Sequence, residues 1–294
     1  MKRLFFFFGV MAALCVQQTV AQVAMVALSH NGSLTMYEAE SLPTALNDAV
    51  EGDTIFLNEG FFPGFTISKP ITVIGAGQKT NIKGGVTIEV TGTLTARTLD
   101  ALNINGSLSG GSSTGLVVRK CKFKGFSCGS LINAIIDRCY CESNRFDINK
   151  GVKNMQVVNS VISNLYGFAT NASDITFLNC NILSFDYTNY VRATFVNCIV
   201  RNYYKQADSY FSYCRLLNDN GTNTMQNCSC SSFSWNNTYN YSPGMNGTDG
   251  TVVGINGGTT PFTLTTSNPK VTSYEVKVDT QNKQLNVNVT VTAN

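Results

Sequence analysis

The most reactive side chains of this sequence are cysteines, and most of them recur at regular intervals. The chain has a single histidine and no Cys-x-x-Cys pair, and Val, Ile and Phe surround the recurring cysteines. The pattern therefore favours small buried side chains over zinc ligands or a disulfide framework, and we expect no metal and no cofactor. We call this set the Cys column: Cys121, Cys139, Ser160, Cys180, Cys198, Cys214 and Cys228, at intervals of 14 to 21 residues.

Acidic residues and the histidine form no recognisable catalytic set. His30 lies beside an Asn31-Gly32 pair, far from the repeating segments, so we expect a solvent-exposed turn residue and no Ser-His-Asp or Cys-His catalysis. The carboxylates of the repeat do not share a column in neighbouring segments. Neither a paired-carboxylate site nor a calcium site is predicted, and no catalytic residue is proposed.

Two kinds of side chain are candidates for ligand binding. Basic residues are frequent in the repeat, where a basic groove would receive an acidic glycan, although a solvated basic face has the same pattern. Several tyrosines lie off the repeating columns, in predicted turns, where they would either stack on sugar rings or pack loops. The candidate ligand-binding residues are Tyr166, Tyr190, Tyr204, Tyr210, Arg145, Arg192 and Arg201.

These residues belong to a repeat of β-rich segments between positions 116 and 233. A short, nearly constant period with strand-forming residues predicts a coil of strands. In four segments the residue before the Cys column is Asn, which tolerates the left-handed conformation that a sharp bend requires. Such a bend lets the Cys column and the residues three positions earlier both face inward. The Gly-Ser-rich stretch 106–115 is predicted to be a loop or a loosened turn between successive segments of the coil.

The region before this repeat carries a more specific resemblance. Residues 45–62 and 65–77 read ALNDAVEGDTIFLNEGFF and FTISKPITVIGAG. They resemble the N-terminal part of right-handed parallel β-helix proteins, the pectin-lyase-like superfamily, and the Asn-Cys pairs resemble its internal repeats. The resemblance covers roughly residues 41 to 235 and implies a secreted bacterial protein of adhesin-like or unknown function. It also implies that an enzyme of this kind would be a polysaccharide lyase or a pectin hydrolase.

The expected fold is all-β: a right-handed, single-stranded parallel β-helix with a short N-terminal capping helix and a C-terminal β-hairpin. The helix would bury Ala45, Leu46, Ala49 and Val50 over the first turn. The C-terminal hairpin would pack on the β-helix, over Val158, Leu178 and Val196 or over the last turn. The predicted segments are a signal peptide (1–21), an N-terminal β-hairpin (22–40), the β-helix (41–235), and a loop with the C-terminal hairpin (236–294).

The first 21 residues have the basic start, apolar run and small-residue cleavage site of a secretory signal. Cys15 would be an alternative lipid anchor, but Leu14 is large for the residue before a lipidated Cys. The net charge of +3 does not indicate a nucleic-acid partner, and no later stretch is apolar enough to span a membrane.

We therefore expect a secreted or surface-exposed protein that binds a glycan or a cell-surface partner without catalysis, as adhesins do. One alternative is a polysaccharide lyase that acts on an acidic glycan through Arg145, Arg192 or Arg201. A third class, a purely structural component of the cell envelope, predicts neither binding nor turnover. The sequence does not indicate an oligomeric state.

Overall fold

The structure is a computed structural model, and it describes residues 24–89, 95–148, 151–166, 173–184, 193–202, 209–216, 224–230, 246–264, 270–279 and 284–292. These residues form a right-handed parallel β-helix of about 7 turns, each called a coil below, with one short α-helix near the N-terminus. The predicted fold class is confirmed.

The described residues contain one α-helix, α1 (Leu42–Asp48), and short 3-10 helices at Ala39–Ser41, Gly77–Lys79 and Gly254–Asn256. In chain order, the strands are β1 (Met25–His30), β2 (Ser33–Glu38), β3 (Thr54–Leu57), β4 (Gly60–Ile67), β5 (Thr72–Ile74), β6 (Thr80–Ile88), β7 (Thr95–Asp100), β8 (Asn103–Gly110), β9 (Ser113–Arg119), β10 (Lys122–Cys128), β11 (Leu131–Ile132), β12 (Ile135–Asp137), β13 (Tyr140–Asp147), β14 (Lys153–Val158), β15 (Val161–Tyr166), β16 (Ser173–Leu178), β17 (Asn181–Ser184), β18 (Thr194–Val196), β19 (Ile199–Asn202), β20 (Tyr210–Ser212), β21 (Arg215–Leu216), β22 (Thr224–Gln226), β23 (Ser229–Cys230), β24 (Lys270–Asp279) and β25 (Gln284–Thr292).

The strands of the β-helix belong to two sheets. From β3 to β23, strands alternate between a thirteen-stranded sheet, which begins β2-β1-β3-β5-β7-β9, and a ten-stranded sheet in the order β4-β6-β8-β10-β13-β15-β17-β19-β21-β23, except that β11 and β12 both belong to the thirteen-stranded sheet. Pairing between coils is parallel, so equivalent residues of successive coils lie side by side. Along each strand, side chains alternate between the core and the outer face.

Each coil bends where the chain passes from the thirteen-stranded to the ten-stranded sheet. The residue before the Cys column has a left-handed conformation there, with φ between 44° and 53°, and Ala101 has the same conformation one coil earlier, with a φ of 58°. The predicted role of Asn at this bend is confirmed, and Lys120, Arg138 and Tyr213 adopt the same conformation. We call these residues the corner column: Ala101, Lys120, Arg138, Asn159, Asn179, Asn197, Tyr213 and Asn227.

The core of the β-helix consists of stacked side chains. The rings of Phe177 and Phe195 lie 4.9 Å apart, and those of Phe195 and Phe211 lie 4.5 Å apart, nearly parallel. The cysteines of the Cys column are free thiols, and the column is buried as far as Cys214. Burial raises the pKa of Cys121 to about 12. The interpretation of these thiols as interior packing residues is confirmed.

The N-terminal end of the β-helix is closed by α1 and the β1–β2 hairpin. Strand β1 pairs antiparallel with both β2 and β3, and α1 buries Leu42, Ala45 and Leu46. Val50 is 47% exposed, contrary to the prediction, because α1 ends at Asp48 and the backbone is extended at Ala49, so Val50 does not continue the buried face of the helix. His30 is half-exposed, but its Nδ1 lies 2.8 Å from Oδ1 of the buried Asp53, so its ring joins the hairpin to the first coil.

A segment at residues 246–264, called the crossing segment, runs over the outside of the last coils. The Asn159 side chain donates hydrogen bonds to the carbonyls of Ile255 (3.2 Å) and Gly257 (2.8 Å). Val253 and Ile255 pack with Val161 and Ile199, which point outward from the ten-stranded sheet. The crossing segment thus buries apolar residues that the β-helix alone would expose.

The C-terminal hairpin pairs β24 with β25 antiparallel, which confirms the predicted hairpin. Its packing over Val158, Leu178 and Val196 stays a prediction, and these three side chains are half-buried. In the part of the chain that the structure describes, no helix combines the length and the apolar character needed to cross a bilayer.

Candidate functional site

The outer face of the ten-stranded sheet contains an open cleft of about 470 Å³. This volume falls within the roughly 300 to 1,000 Å³ that is usual for small-molecule sites. The residues that line it come from four neighbouring strands: β8, β10, β13 and β15. They are Ser107, Gly125, Phe126, Ser127, Arg145, Asp147 and Asn164.

The floor of the cleft is part of the core. Phe126 is paired with Leu108 on one side and with Phe146 on the other, and its ring stacks 4.6 Å from that of Phe146. All three side chains are buried. Because side chains alternate along a strand, the residues on either side of each core residue point outward and form the walls. Gly125 lies between Ser107 and Arg145, and because it has no side chain, the space above it remains open.

A local irregularity in β13 brings the charged residues into the cleft. Four residues (142–145) separate the core residues Cys141 and Phe146, whereas two separate Phe123 and Phe126 in β10. After this bulge the strands are again in register, with Arg145 beside Asn164 and Asp147 beside Tyr166 of β15. Bulges of this kind reposition side chains at sheet surfaces.

Arg145 extends diagonally across β15 rather than straight out to solvent. The central carbon of its guanidinium group lies 4.1 Å from the centre of the Tyr166 ring, within cation–π distance. This contact holds a planar donor group at the edge of the cleft.

Asn164 contributes an acceptor without a partner. Its side-chain oxygen is buried and makes no hydrogen bond with any residue that the structure describes. An unsatisfied buried polar atom costs about 1 to 3 kcal/mol, so rotation of the Asn164 amide toward the adjacent cleft is favoured when a ligand hydroxyl can donate to this oxygen.

The charges of the cleft are balanced. Arg145 and Asp147 lie two residues apart on one strand, so both point outward and both line the cleft. A pair of this kind offers donors and acceptors to hydroxyl groups, and it does not form a predominantly positive groove for an acidic chain.

Two of the predicted ligand-binding residues come together here, and two others lie elsewhere. Arg145 and Tyr166 are in contact. Tyr210 is on the thirteen-stranded sheet, where its hydroxyl bonds to Gln226, and Arg201 is half-buried on β19, outside the cleft. Tyr190, Tyr204 and Arg192 lie outside the described residues.

The predicted placement of the tyrosines in turns is wrong for Tyr166 and Tyr210. Tyr166 ends β15 and Tyr210 begins β20. Both point outward from strands whose alternate residues fill the core. Residues off the core columns therefore occupy the outer faces of the sheets as well as turns.

Of the seven residues that line the cleft, the sequence indicates only Arg145 as a binding residue; the other six are Ser107, Gly125, Phe126, Ser127, Asp147 and Asn164. Ser107 lies in the Gly-Ser-rich stretch for which the sequence predicts a loop or a loosened turn, but residues 106–110 continue β8, which pairs with β6 and β10. Others stand at fixed offsets after the Cys column: four residues for Gly125 and Asn164, and six for Ser127 and Tyr166. Arg145 lies in the same row as Asn164, and Asp147 lies in the same row as Tyr166. The two extra residues in the bulge of β13 shift Arg145 and Asp147 to larger offsets from Cys139, so the spacing in the sequence does not reveal these rows.

Several acidic and basic residues of the repeat are accounted for by contacts with each other. Within the described residues, no group of three His, Cys, Asp or Glu side chains is placed to hold a metal ion. Several basic residues that suggested a groove are paired instead: Lys122 with Glu142 at 3.2 Å, and Arg138 with Asp137. Arg119 stands between Asp100 and Asp137 in one row of the thirteen-stranded sheet.

Comparison with known proteins adds no identification. The chain matches no protein-family model, and no curated protein and no solved structure is detectably similar to it. Membership of the pectin-lyase-like superfamily accordingly stays a prediction, while the parallel β-helix is established by the strand pairing.

Proposed function

We propose that this protein is exported and displayed or secreted, and that it binds carbohydrate without catalysis in the cleft of the ten-stranded sheet. The observation that carries the proposal is the grouping of three side chains at one open cleft: Arg145, which is held against the Tyr166 ring, the Asp147 carboxylate and the unpartnered Asn164 amide oxygen. Sugars are recognised by this combination of planar groups and hydrogen-bonding side chains.

The balanced charge of the cleft favours neutral sugars. A uronate carboxylate would approach Arg145 but also Asp147, and the resulting repulsion offsets part of the attraction. The hydroxyls of a neutral pyranose donate to Asp147 and Asn164 and accept from Arg145 without this conflict.

Glycan-array binding followed by titration calorimetry tests the proposal. We expect binding to neutral oligosaccharides that weakens at least tenfold in Asn164→Ala and Arg145→Ala. Gly125→Leu fills the floor without removing a polar group, and it should also abolish binding. Lys153→Ala, which alters an exposed residue of β14 on the other sheet, is the matched control.

Two outcomes would contradict this assignment. Undiminished binding in all three cleft variants would place the ligand elsewhere. Release of unsaturated products that absorb in the ultraviolet, lost in Arg145→Ala, would replace the proposal with the alternative of a polysaccharide lyase.

A further inference from the structure

The outer edge of β2 ends the thirteen-stranded sheet, and no described residue pairs with it. The strand is fixed on its other side. It pairs with β1 along its full length, and the Tyr37 hydroxyl donates a 2.8 Å hydrogen bond to Asp48 at the end of α1. β2 is therefore a rigid strand with one open edge.

The hairpin determines which backbone groups face that edge. His30 and Ser33 are paired across the two-residue turn Asn31-Gly32, in which both residues have positive φ. In such a hairpin the residues that flank the turn bond to each other, and bonding then alternates along the strand. The N–H and C=O groups of three residues therefore point to the open edge: Leu34, Met36 and Glu38.

The same residues carry exposed apolar side chains. Leu34 is 63% exposed and Met36 is 56% exposed. Met36 begins a row of apolar residues across four adjacent strands, which continues through Ala27, Phe56 (42% exposed) and Ile74. Natural edge strands are usually protected by lysine, proline or a bulge, and β2 has none of these.

We propose that β2 pairs antiparallel with β2 of a second copy of this chain, about a two-fold axis at Met36. Hydrogen-bonding residues must face one another in an antiparallel pair, so Met36 lies opposite Met36 of the partner and Leu34 lies opposite Glu38. The open-edge N–H groups of each β2 strand thus donate to the open-edge C=O groups of the other β2 strand. The two thirteen-stranded sheets become one continuous sheet.

The side chains suit this pairing. Glu38, the only charged residue of β2, faces a leucine, so no like charges are opposed. The two apolar rows meet at the axis and form one strip from Ile74 of one copy to Ile74 of the other. A two-fold axis also closes the interface, because neither copy is left with an open β2 edge.

Cysteine substitutions test the register directly. Residues opposed in a bonded antiparallel pair have Cα atoms about 5.5 Å apart, within disulfide range, so Met36→Cys should form a covalent dimer with oxidised glutathione. Leu34 is equally exposed but would lie about 14 Å from its counterpart, since four residues at about 3.4 Å each separate them along the strand. Leu34→Cys should therefore remain uncrosslinked. Equal crosslinking of both variants would overturn the register.

Light scattering of the purified protein tests the association without a covalent bond. We expect a dimer that Met36→Lys converts to monomer, because two ammonium groups would face each other at the axis. Ile132→Lys, a change at a 40% exposed residue of β11, should remain dimeric. A wild-type monomer, or assemblies larger than a dimer, would contradict the two-fold pairing.

Discussion

In several coils of the β-helix, the side chain of the Cys column, directly after the corner residue, both packs in the core and forms a hydrogen bond. The Cys180 thiol lies 3.3 Å from the Val157 carbonyl of the preceding coil, and Cys198 makes the equivalent contact with Phe177 at 3.4 Å. Ser160 occupies the same column and accepts from the Cys139 N–H at 3.0 Å. A small side chain with one polar atom fits this position, and the sulfur fills more of the core than the hydroxyl.

Alkaline pH should destabilise the fold through these thiols. A Cys thiol of the unfolded chain titrates near 9.0, whereas burial raises the pKa of Cys121 to about 12. The stability that depends on the neutral thiol is therefore complete below pH 9 and is lost as the pH rises toward 12. Urea unfolding at several pH values from 7 to 11 measures this loss. In Cys121→Ser, whose hydroxyl does not titrate in this range, the decline should be smaller, and an identical decline would refute the explanation.

Acid pH should act on the other end of the molecule, through Asp53. Burial by itself raises the pKa of this carboxyl, but the Val50 N–H and His30 hold the pKa below its ordinary value. The stabilisation is present above the unfolded pKa of about 3.8 and is lost as the pH falls through the folded pKa. Asp53→Asn should lower the free energy of unfolding at pH 7 by about 1 to 3 kcal/mol and weaken the acid dependence. The control is Glu51→Gln, at an exposed neighbouring residue, which should change neither quantity.

Among the elements, the crossing segment depends on close approach of its backbone to the β-helix. The Gly254 N–H donates a 2.7 Å hydrogen bond to the Asn197 carbonyl. Gly254 has a φ of +74°, and a Cβ atom there would lie 2.3 Å from the Asn181 side-chain oxygen. The segment can therefore sit against the coils only with glycine at this position.

Alanine substitutions at Gly250 and Gly254 distinguish the energetic cost of a positive φ from the cost of a steric clash with Asn181. Gly250 also has a positive φ, but nothing lies within 4 Å of a Cβ placed there. Gly250→Ala should cost about 1 to 2 kcal/mol of unfolding free energy from conformation alone. Gly254→Ala should cost about 2 kcal/mol more, because it also displaces Asn181 or the segment. Chemical denaturation of both variants measures the difference, and equal losses would mean that the segment is not held as described.

The elements also show what the sequence can and cannot predict. Strands, corners and the buried column follow from short-range periodicity, because each coil repeats the same inward positions. The crossing segment does not, since Asn159 bonds to Gly257, a residue 98 positions away, and no local pattern encodes that contact. The cleft was found only in part, because the bulge of β13 breaks the spacing that relates Arg145 and Asp147 to their neighbours.

At the scale of the whole molecule, the β-helix is a stack in which each coil contacts mainly the coils beside it. In such repeat structures, stability is close to a sum of local terms, and parts of the stack can open separately. The crossing segment departs from this rule. It bonds to Asn159, Asn197 and, through Thr248 at 2.5 Å, to the carbonyl of Asn227, so it connects coils that do not touch one another.

We therefore expect the last coils, from Asn159 to Asn227, to unfold as one unit. Hydrogen exchange monitored by mass spectrometry should give one protection level for strands β14 to β22 and a separate level for β3 to β10. Gly254→Ala should release this coupling, so that strands β20 to β22 exchange faster than β14 and β16. Phe195→Ala removes a ring between two stacked neighbours and costs about 3 to 5 kcal/mol, but it leaves the crossing segment attached. It should lower the protection of β14 to β22 together. If Phe195→Ala lowers protection only in β16 to β20, the crossing segment does not couple these coils.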